Sequence, residues 1–475
     1  MSEDKTQSYP HRVNDSPAQK VLADISHIPS MAVGPIALPD MHLKEKTEAP
    51  ASFAAATRAT IIPQLTAPSV GCGMGALATS LTQADISEAH LEKFYAEMRR
   101  HLGPKYGTVE NILLWLGIIR RPRHTYDFSV EELPGVIRTG ALAAVHKYQL
   151  PLDTINHIEY SGNVMDESTR KEFSLPNILP RSAWVSGLHD IGYGFKGNHF
   201  LEVQYIEEIY DAELARAWGL HKDQIIIMYH GGGGAVSHYM GRYFAKRKKM
   251  GRKERIFLPV AKALFHFGSW QGIKHAKERW QYYFRPQRFQ EIPTDTYEGR
   301  RLLASIQASL NYSYAFRIAI AKRITDALEY AFGKDTKATL IWDTIHNSIM
   351  PELIHGERLI VHRHTATRAL PGKPVIISGF NTTGSYIGVG MPDAEAHLFS
   401  ADHGAGETIK RFQKEGKVFP HPKEYQTTIY LTKPPYKKTV SHITDEGVDY
   451  VMNELERAGV TRRVIKLRPI AVFKG

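Results

Sequence analysis

One cysteine and four histidines carry most of the chemistry open to this chain. Cys72 lies in Ser69-Val70-Gly71-Cys72-Gly73-Met74-Gly75 and is the sole cysteine among 475 residues. Downstream follow Gly197-Asn198-His199-Phe200-Leu201-Glu202, Tyr229-His230-Gly231-Gly232, Asp343-Thr344-Ile345-His346-Asn347 and Asp402-His403-Gly404-Ala405-Gly406. A thiolate with imidazoles suits a borderline divalent ion such as Zn²⁺ or Mn²⁺, held where glycine lets backbone come close. A lone buried cysteine is usually a small apolar residue, but glycines on both sides favour a ligand here. His230 ends an apolar run and precedes four glycines, whose free N–H groups suit a phosphate. His199 beside Phe200 reads alone as a satisfied core imidazole. His403 has the small neighbours that a nucleophilic histidine needs if a bulky electrophile is to reach its ring.

The elements that must position these groups are mostly strands. Pro35 to Leu38 reads as a strand before Asp40, and Ala59 to Pro63 as another before the Cys72 loop. Glu202 to Tyr205 continues a strand, and Gln224 to Tyr229 is a short apolar strand ending at His230. Val375 to Ile377 is a third such run, leading into the loop Gly379 to Ser385, and Arg463 to Lys474 alternates like a strand. Helical spacing is predicted for Asp85–Leu102, Tyr210–Leu220, Ser237–Lys249 and Arg300–Phe332, and His346-Asn347 is expected on a helix. Strand ends and glycine-rich loops are where α/β enzymes place ligands. The expectation is a mixed α/β (α+β) fold: one large domain over 31–475, a flexible tail over 1–30, and a basic, aromatic insertion over 245–300.

Composition narrows the class further. With 43% hydrophobic residues the chain is globular, and no stretch approaches the ~18 consecutive apolar residues of a membrane helix. Met1 to Lys20 lacks an apolar signal core. A single cysteine excludes an internal disulfide framework and fits a reducing cytoplasm. The net charge is +11, with basic residues clustered from Arg242 to Arg255, a pattern that attracts phosphate backbones without reading sequence. That run is the candidate substrate contact. Trp280 to Phe284 beside Arg279 and Arg285 suits base stacking or, equally, core packing.

Taken in order, the motifs resemble the RtcB family of GTP-dependent RNA ligases from about Pro35 to Gly475. The correspondence runs through Pro39-Asp40-Met41-His42, the Gly71-Cys72-Gly73-Met74 loop, Gly197 to Glu202, His230-Gly231, Asp343 to Asn347, Val361-His362-Arg363, Ala366 to Ala369, Ser385-Tyr386, His403 to Gly406, and Leu467 to Gly475. The resemblance implies an enzyme that joins RNA 3′-phosphate or 2′,3′-cyclic phosphate ends to 5′-hydroxyl ends, with GTP and one or two Mn²⁺ ions. His403 would become guanylylated. Cys72, His199, His230 and His346 match the metal ligands. Asn198, His199, Phe200, Leu201, Glu202, His346, Asn347, Ser378, Gly379, Phe380, Asn381, Ser385, His403, Gly404, Ala405, Gly406, Tyr436 and Lys474 match guanylate-contacting positions. Glu202 and Lys474 would read the base edge, and Tyr436 would cover its face.

The departures from the family pattern are chemically pointed. Ser69 stands where the pattern has an aspartate ligand, and a hydroxyl is a poorer Mn²⁺ ligand than a carboxylate. Gly234 replaces an arginine in the loop after His230, and Glu407 replaces one after Gly406. His364 replaces a lysine, Leu43-Lys44-Glu45-Lys46 replaces a glycine-bearing loop, and Phe380-Asn381 replaces Ser-Met. The reading is a divergent ligase with the GTP site kept and the RNA-end site altered. The alternative is a non-ligating guanylate- or RNA-binding paralogue in an RNA-processing assembly. Either leaves room for an activating or RNA-processing protein partner.

Overall fold

A computed structural model describes residues 16–45, 47–100, 125–180, 183, 187, 199–245, 252–268 and 273–474, with side chains at 16, 235 and 252–257 left aside. The strands in chain order are β1 Met31–His42, β2 Ala51–Thr57, β3 Thr60–Ile61, β4 Gly73–Thr82, β5 Phe200–Ile209, β6 Gln224–Gly231, β7 Ile292–Pro293, β8 Ala338–Ile345, β9 Asn347–Ile354, β10 Glu357–His364, β11 Ala366–Arg368, β12 Pro374–Ile377, β13 Ser385–Gly390, β14 Ser400–Asp402, β15 Gln426–Leu431, β16 Lys437–Ser441 and β17 Thr461–Lys474. Nine of them form the main sheet in the order β12-β13-β17-β5-β6-β4-β8, with β15 and β16 branching from β17. Its pairings are antiparallel except β15 on β17.

The middle of this sheet is buried on both faces, so β6 is an uninterrupted apolar run and not an alternating one. Its two faces still differ. Ile225, Ile227 and Tyr229 join the largest core cluster, with the long helix Tyr297–Phe332, whereas Ile226 and Met228 join a separate cluster with Met74 and Ala76 of β4. Side chains alternate along a strand, so His230 projects from the face of Ile226 and Met228, away from the helix.

The helix itself spans 36 residues, started by Thr296, whose hydroxyl accepts from Gly299 N at 3.0 Å, and ended at Gly333. It is buried almost all round, which a helix tolerates only inside a large protein. The charges it carries inward are paired. Arg317, on the sheet-facing side, donates from Nε to both oxygens of Asp343 at 2.9 Å and from Nη1 to the carbonyl of Gly71 at 2.7 Å. Tyr229 adds a hydroxyl to Asp343 at 3.1 Å.

A second layer covers the opposite face. It holds the sheet β1-β2-β10-β9, the pair β11-β14, and the helices Gly406–Lys414 and Glu446–Arg457. A core of Leu38, Ala54, Val361, Ala401, Ile409 and Val448 binds these pieces together. Small residues in β2 let β1 and β10 close on it from both sides.

The mixed α/β architecture and the principal strands and long helix agree with the sequence reading. Two expectations need correction. His346-Asn347 is not helical: it is the junction between β8 and β9, because the run Thr339-Leu340-Ile341-Trp342-Asp343-Thr344-Ile345 is dominated by β-formers and pairs with β4. The strand before the Cys72 loop is short, only β3, and the longer strand is β2 upstream. Residues 1–15 of the expected tail lie outside the described residues, but Ser16–Ser26 form a helix that buries Leu22 and Ile25 against Met31 and Phe53. In the 245–300 region, Arg252–Phe267, Ile273–Arg279 and the π-helical turn Trp280–Phe284 lie on the long helix, pinned by Arg279 to Glu298 at 2.6 Å and Tyr283 to Glu298 at 3.2 Å. Residues 246–251 of the basic run lie outside the described residues. No described helix is long and apolar enough to cross a membrane.

Removing one partner of a buried ion pair leaves an uncompensated charge, at a cost of about 3–5 kcal/mol. Arg317→Met is expected to lose that much in denaturant unfolding, and Arg317→Met with Asp343→Leu is expected to recover much of it.

Candidate functional site

The register of four neighbouring strands assembles the site. Cys72 precedes β4, His199 precedes β5, His230 is the penultimate residue of β6, and His346 follows β8. Because Met74 pairs with His230, Gly73 with Ile345, and Phe200 with His230, these four positions fall at one end of the sheet. The Cys72 Sγ lies 3.4 Å from His199 Nε2 and 3.3 Å from His230 Nε2, and the three donor atoms lie within 4.8 Å of one another. The His346 ring sits 5.0 Å from that of His230, and the His403 ring 4.3 Å from that of His346.

Backbone makes this crowding feasible. A Cβ on Gly232 would stand 3.3 Å from both Cys72 Sγ and His199 Cε1, so a side chain there would press on the donors. Gly71 takes φ +86°, and a Cβ there would overlap Ser313 of the long helix.

Electrostatics keep the donors neutral in the protein by itself. Burial pushes the Cys72 thiol up to about 12, against the opposing pull of Arg317. Burial pushes His199 down to about 4 and His346 well below the ordinary imidazole range. The residues fit a divalent ion: three soft or borderline donors converge, and the Nδ1 of buried His346 has no hydrogen-bond partner.

His403 reaches the cluster from the second layer. It follows β14, which pairs with β11, and Ala366 at the start of β11 donates its N–H to His346 O at 2.9 Å. The His403 Nδ1 sits 3.0 Å from the carbonyl of Thr365, so Nδ1 carries the proton and Nε2 keeps a free lone pair. Burial, then Lys44, lowers its pKa to about 3. Thr365 has φ +52°, an outlier for a β-branched residue. It is held there by Asn347 Oδ1, which accepts its N–H at 2.9 Å, and by its own Oγ1, which accepts from Ser52 N at 2.5 Å.

Around His403 the expected loop residues interlock. Ser378 N donates to His403 O, Ala405 N to Ser378 O, and Gly379 N to the Ser385 hydroxyl, at 3.1, 3.0 and 3.0 Å. Gly404 packs on Ser378 and Gly406 on Phe380, leaving no room for a Cβ at Gly404. Asn381 sits in the turn beyond, half-buried. Asn347 spends its amide on Ser69, donating to the carbonyl at 3.2 Å and the hydroxyl at 3.3 Å.

Further along the cleft, Glu202 shares the face of His230. It accepts from Gln204 Nε2 at 2.5 Å, and burial lifts its pKa to about 7 against the pull of Gln204 and Lys474. Lys474 pairs with Leu431, and Tyr436 stands 56% exposed beyond the end of β15. Leu201 alternates to the other face and is core. Phe200 packs 5.5 Å from His230. Asn198 lies outside the described residues.

Several site neighbours were given no role by the sequence. Asp40 accepts from Thr408 N at 2.6 Å and Glu407 N at 3.3 Å, capping the helix that follows His403. Its own N–H donates to buried Asp402 at 3.3 Å, whose carboxyl is pushed well up by burial and by Asp40. Lys44, Thr365 and Arg317 complete the surroundings. A backbone carbonyl acceptor such as that of Thr365 has no side-chain signature, and Lys44 was visible only as a residue out of keeping with the family pattern.

The fold and this cleft define a mixed α/β protein with a thiol–imidazole cluster compatible with metal binding, faced by a histidine with a free ring nitrogen. The chain belongs to the RtcB family: the family model described as tRNA-splicing ligase RtcB matches residues 21–475. A tRNA-splicing ligase RtcB from Aeropyrum pernix is 26% identical over 432 residues, 86% of this chain and 80% of the relative. One from Methanococcus maripaludis is 26% identical over 485 residues, covering 96% and 90%. An RNA-splicing ligase RtcB homolog 1 from Entamoeba dispar is 24% identical over 446 residues, covering 88% and 74%. The chain is a divergent member.

Metal uptake by this donor set must displace the Cys72 proton, since the thiol is protonated up to about pH 12 and the His199 and His346 imidazoles are already neutral at pH 7. Affinity is therefore expected to rise about tenfold per pH unit between about pH 7 and 8.5, with one proton released per ion. Titrating Co²⁺ at several pH values checks this through the thiolate charge-transfer absorption, and Cys72→Ala is expected to lose both the band and the slope.

Proposed function

We propose that this chain is a GTP-dependent RNA ligase that joins RNA 3′-phosphate or 2′,3′-cyclic phosphate ends to 5′-hydroxyl ends, in RNA repair or tRNA splicing. The observation that carries the reading is the neutral His403 ring, its Nε2 free and its face 4.3 Å from His346 of the thiol–imidazole cluster. The relatives' names supply the reaction class.

His403 acts as nucleophile. Its Nε2 lone pair attacks the α-phosphorus of GTP, an N–P bond forms, and pyrophosphate leaves. The guanylyl group then passes to the RNA 3′-phosphate: the N–P bond breaks, a P–O–P bond forms, and His403 returns to the neutral state. The 5′-hydroxyl attacks the activated 3′-phosphorus and GMP departs. A cyclic end must first be opened by water to a 3′-phosphate. The Thr365 carbonyl holds the Nδ1 proton throughout, so positive charge that develops on the attacking ring has an acceptor beside it. A divalent ion, Mn²⁺ in this reading, held by Cys72, His199, His230 and His346, would offset phosphate charge when bound.

Guanine offers N1–H and N2–H donors to an ionised carboxylate, and Glu202 is the buried carboxylate in reach of Lys474. Ser378 to Asn381, Ser385 and Gly404 to Gly406 would cradle the ribose and phosphate, with Asn198 and Asn347 beside them and Tyr436 folding over the base.

The direct test is incubation with Mn²⁺ and α-labelled GTP, followed by a denaturing gel. Acid-labile label on the wild type and none on His403→Ala is expected. Absence of label with metal bound would reduce the reading to guanylate or RNA binding. GTP affinity supplies a second check. Because burial raises Glu202 to about 7, its carboxylate is present above that pH and lost below it. Affinity is expected to fall as pH drops through about 7, and Glu202→Gln is expected to bind more weakly with no such dependence, read by calorimetry.

A further inference from the structure

The aromatic run Trp280–Phe284 divides its side chains between two environments. Tyr283 points inward: it is buried, stacks on His266 at 4.2 Å and 20°, and donates its hydroxyl to Glu298 at 3.2 Å. Arg279, just before the run, is buried against the same carboxylate at 2.6 Å. Trp280 points the other way and is 49% exposed. Its ring lies parallel to that of Phe284, at 5.4 Å and 9°, and the Arg285 guanidinium stands 5.7 Å from it. Phe284 in turn meets Phe267 at 5.3 Å and the Lys262 ammonium at 5.5 Å. The inward residues anchor the turn, so the indole is held in place with half of its surface in water.

Charge is concentrated around this turn. Residues 242–288 hold 14 of the chain's 60 Lys and Arg but only two of its 49 Asp and Glu. This segment alone therefore carries a formal +12, and the remainder of the chain is nearly neutral. Beside the rings, Lys274, Lys277 and Arg285 are exposed, and none forms an ion pair with a described residue. Lys277 lies three residues before Trp280, on the same side of the chain. Such a surface draws any polyanion. A supported, open ring face among cations adds a choice, because it suits a polyanion whose own units are flat π-systems. Lipid headgroups and acidic side chains offer the charge without the ring.

We propose that Trp280, backed by Phe284, is a stacking platform for an unpaired base of single-stranded RNA, with Lys274, Lys277 and Arg285 meeting the phosphates on either side. The inference takes the RNA substrate from the ligase reading and no step of its chemistry. The two meanings left open for the aromatic run are thereby divided among its residues: Tyr283 is core, and Trp280 is the contact.

The experiment measures fluorescence anisotropy of a labelled 20-nucleotide unstructured RNA ending in a 3′-hydroxyl, with the full chain and no GTP, so that no joining occurs. Trp280→Ala is expected to weaken binding about five- to hundredfold, the loss of one stacked base, with the melting temperature unchanged. Trp280→Phe is expected to keep most of the affinity. Arg285→Gln is expected to lower the slope of log affinity against log salt by about 0.7, one phosphate contact on a single strand. A duplex of the same sequence is expected to bind more weakly and to ignore Trp280→Ala, because its base faces are already stacked. Wild-type RNA affinity in Trp280→Ala would overturn the inference. So would a Trp280 effect confined to phosphatidylserine vesicles or to self-association, which would assign the face to lipid or to a second copy. Guanylylation of His403 keeps the two readings apart. Label on His403 with RNA affinity indifferent to Trp280 sinks this inference alone. No label, with Trp280-dependent RNA affinity, sinks the ligase reading and upholds the platform.

Discussion

The site depends on the buried pair of Arg317 and Asp343. These residues come from different layers, the long helix and β8, and they meet directly under the Cys72 loop. The Gly71 carbonyl takes a third bond from the same guanidinium, so helix, sheet and loop share one fixed point. Burial raises the Asp343 carboxyl above its ordinary range, and the Arg317 and Tyr229 bonds oppose that pull. Such a pair adds little net stability against an apolar substitute, because both charges lose water. What it supplies is position. Fixing Gly71 fixes Cys72 one residue on, and fixing Asp343 sets the strand that ends at His346.

Strand alternation does the rest. Tyr229 and Asp343 face the helix, so His230 faces the cleft, and Glu202 falls on that face from β5. A one-residue slip in β6 would exchange His230 for Tyr229 and empty the cluster. Apolar contacts on both faces make such a slip costly, and so hold the donor at the end of this apolar strand in place. The second layer then has one task, to bring a single imidazole to the open side. It does so through short β11 and β14 and the strained Thr365, whose carbonyl sets the tautomer of His403.

Much of this was legible because apolar runs and small-residue loops leave strong marks. Gln224 to Tyr229 read as a strand, Arg300 to Phe332 as a helix, and the glycines around Cys72 and His403 as places of close approach. The His346-Asn347 junction was misread because two adjacent polar residues between apolar runs look alike in a helix and at a strand-to-strand turn; only pairing with β4 decides it. The Ser16–Ser26 helix was hidden for a different reason. It is short and polar outside, and its few buried side chains gain their meaning from partners on β1 and β2. Arg317 was lost among the charges of a long helix, since nothing in a sequence tells a buried arginine from a solvated one.

Charge accounts for how the chain departs from its family's pattern without losing the shape of the site. Replacing an aspartate ligand by Ser69 removes a negative charge, and placing Lys44 in the β1 loop adds a positive one. Both changes move the charge of the cleft in the positive direction. Glu407 acts the other way. It lies in the first turn of its helix, where an acid is favourable, and its carboxylate pairs outward with Lys410. It is 38% exposed in that pair, so water screens much of its charge from His403. The acid at that position therefore alters the rim more than the field at His403. The departures lie around the cluster, while the thiol, the imidazoles and His403 keep a geometry that the sheet register imposes.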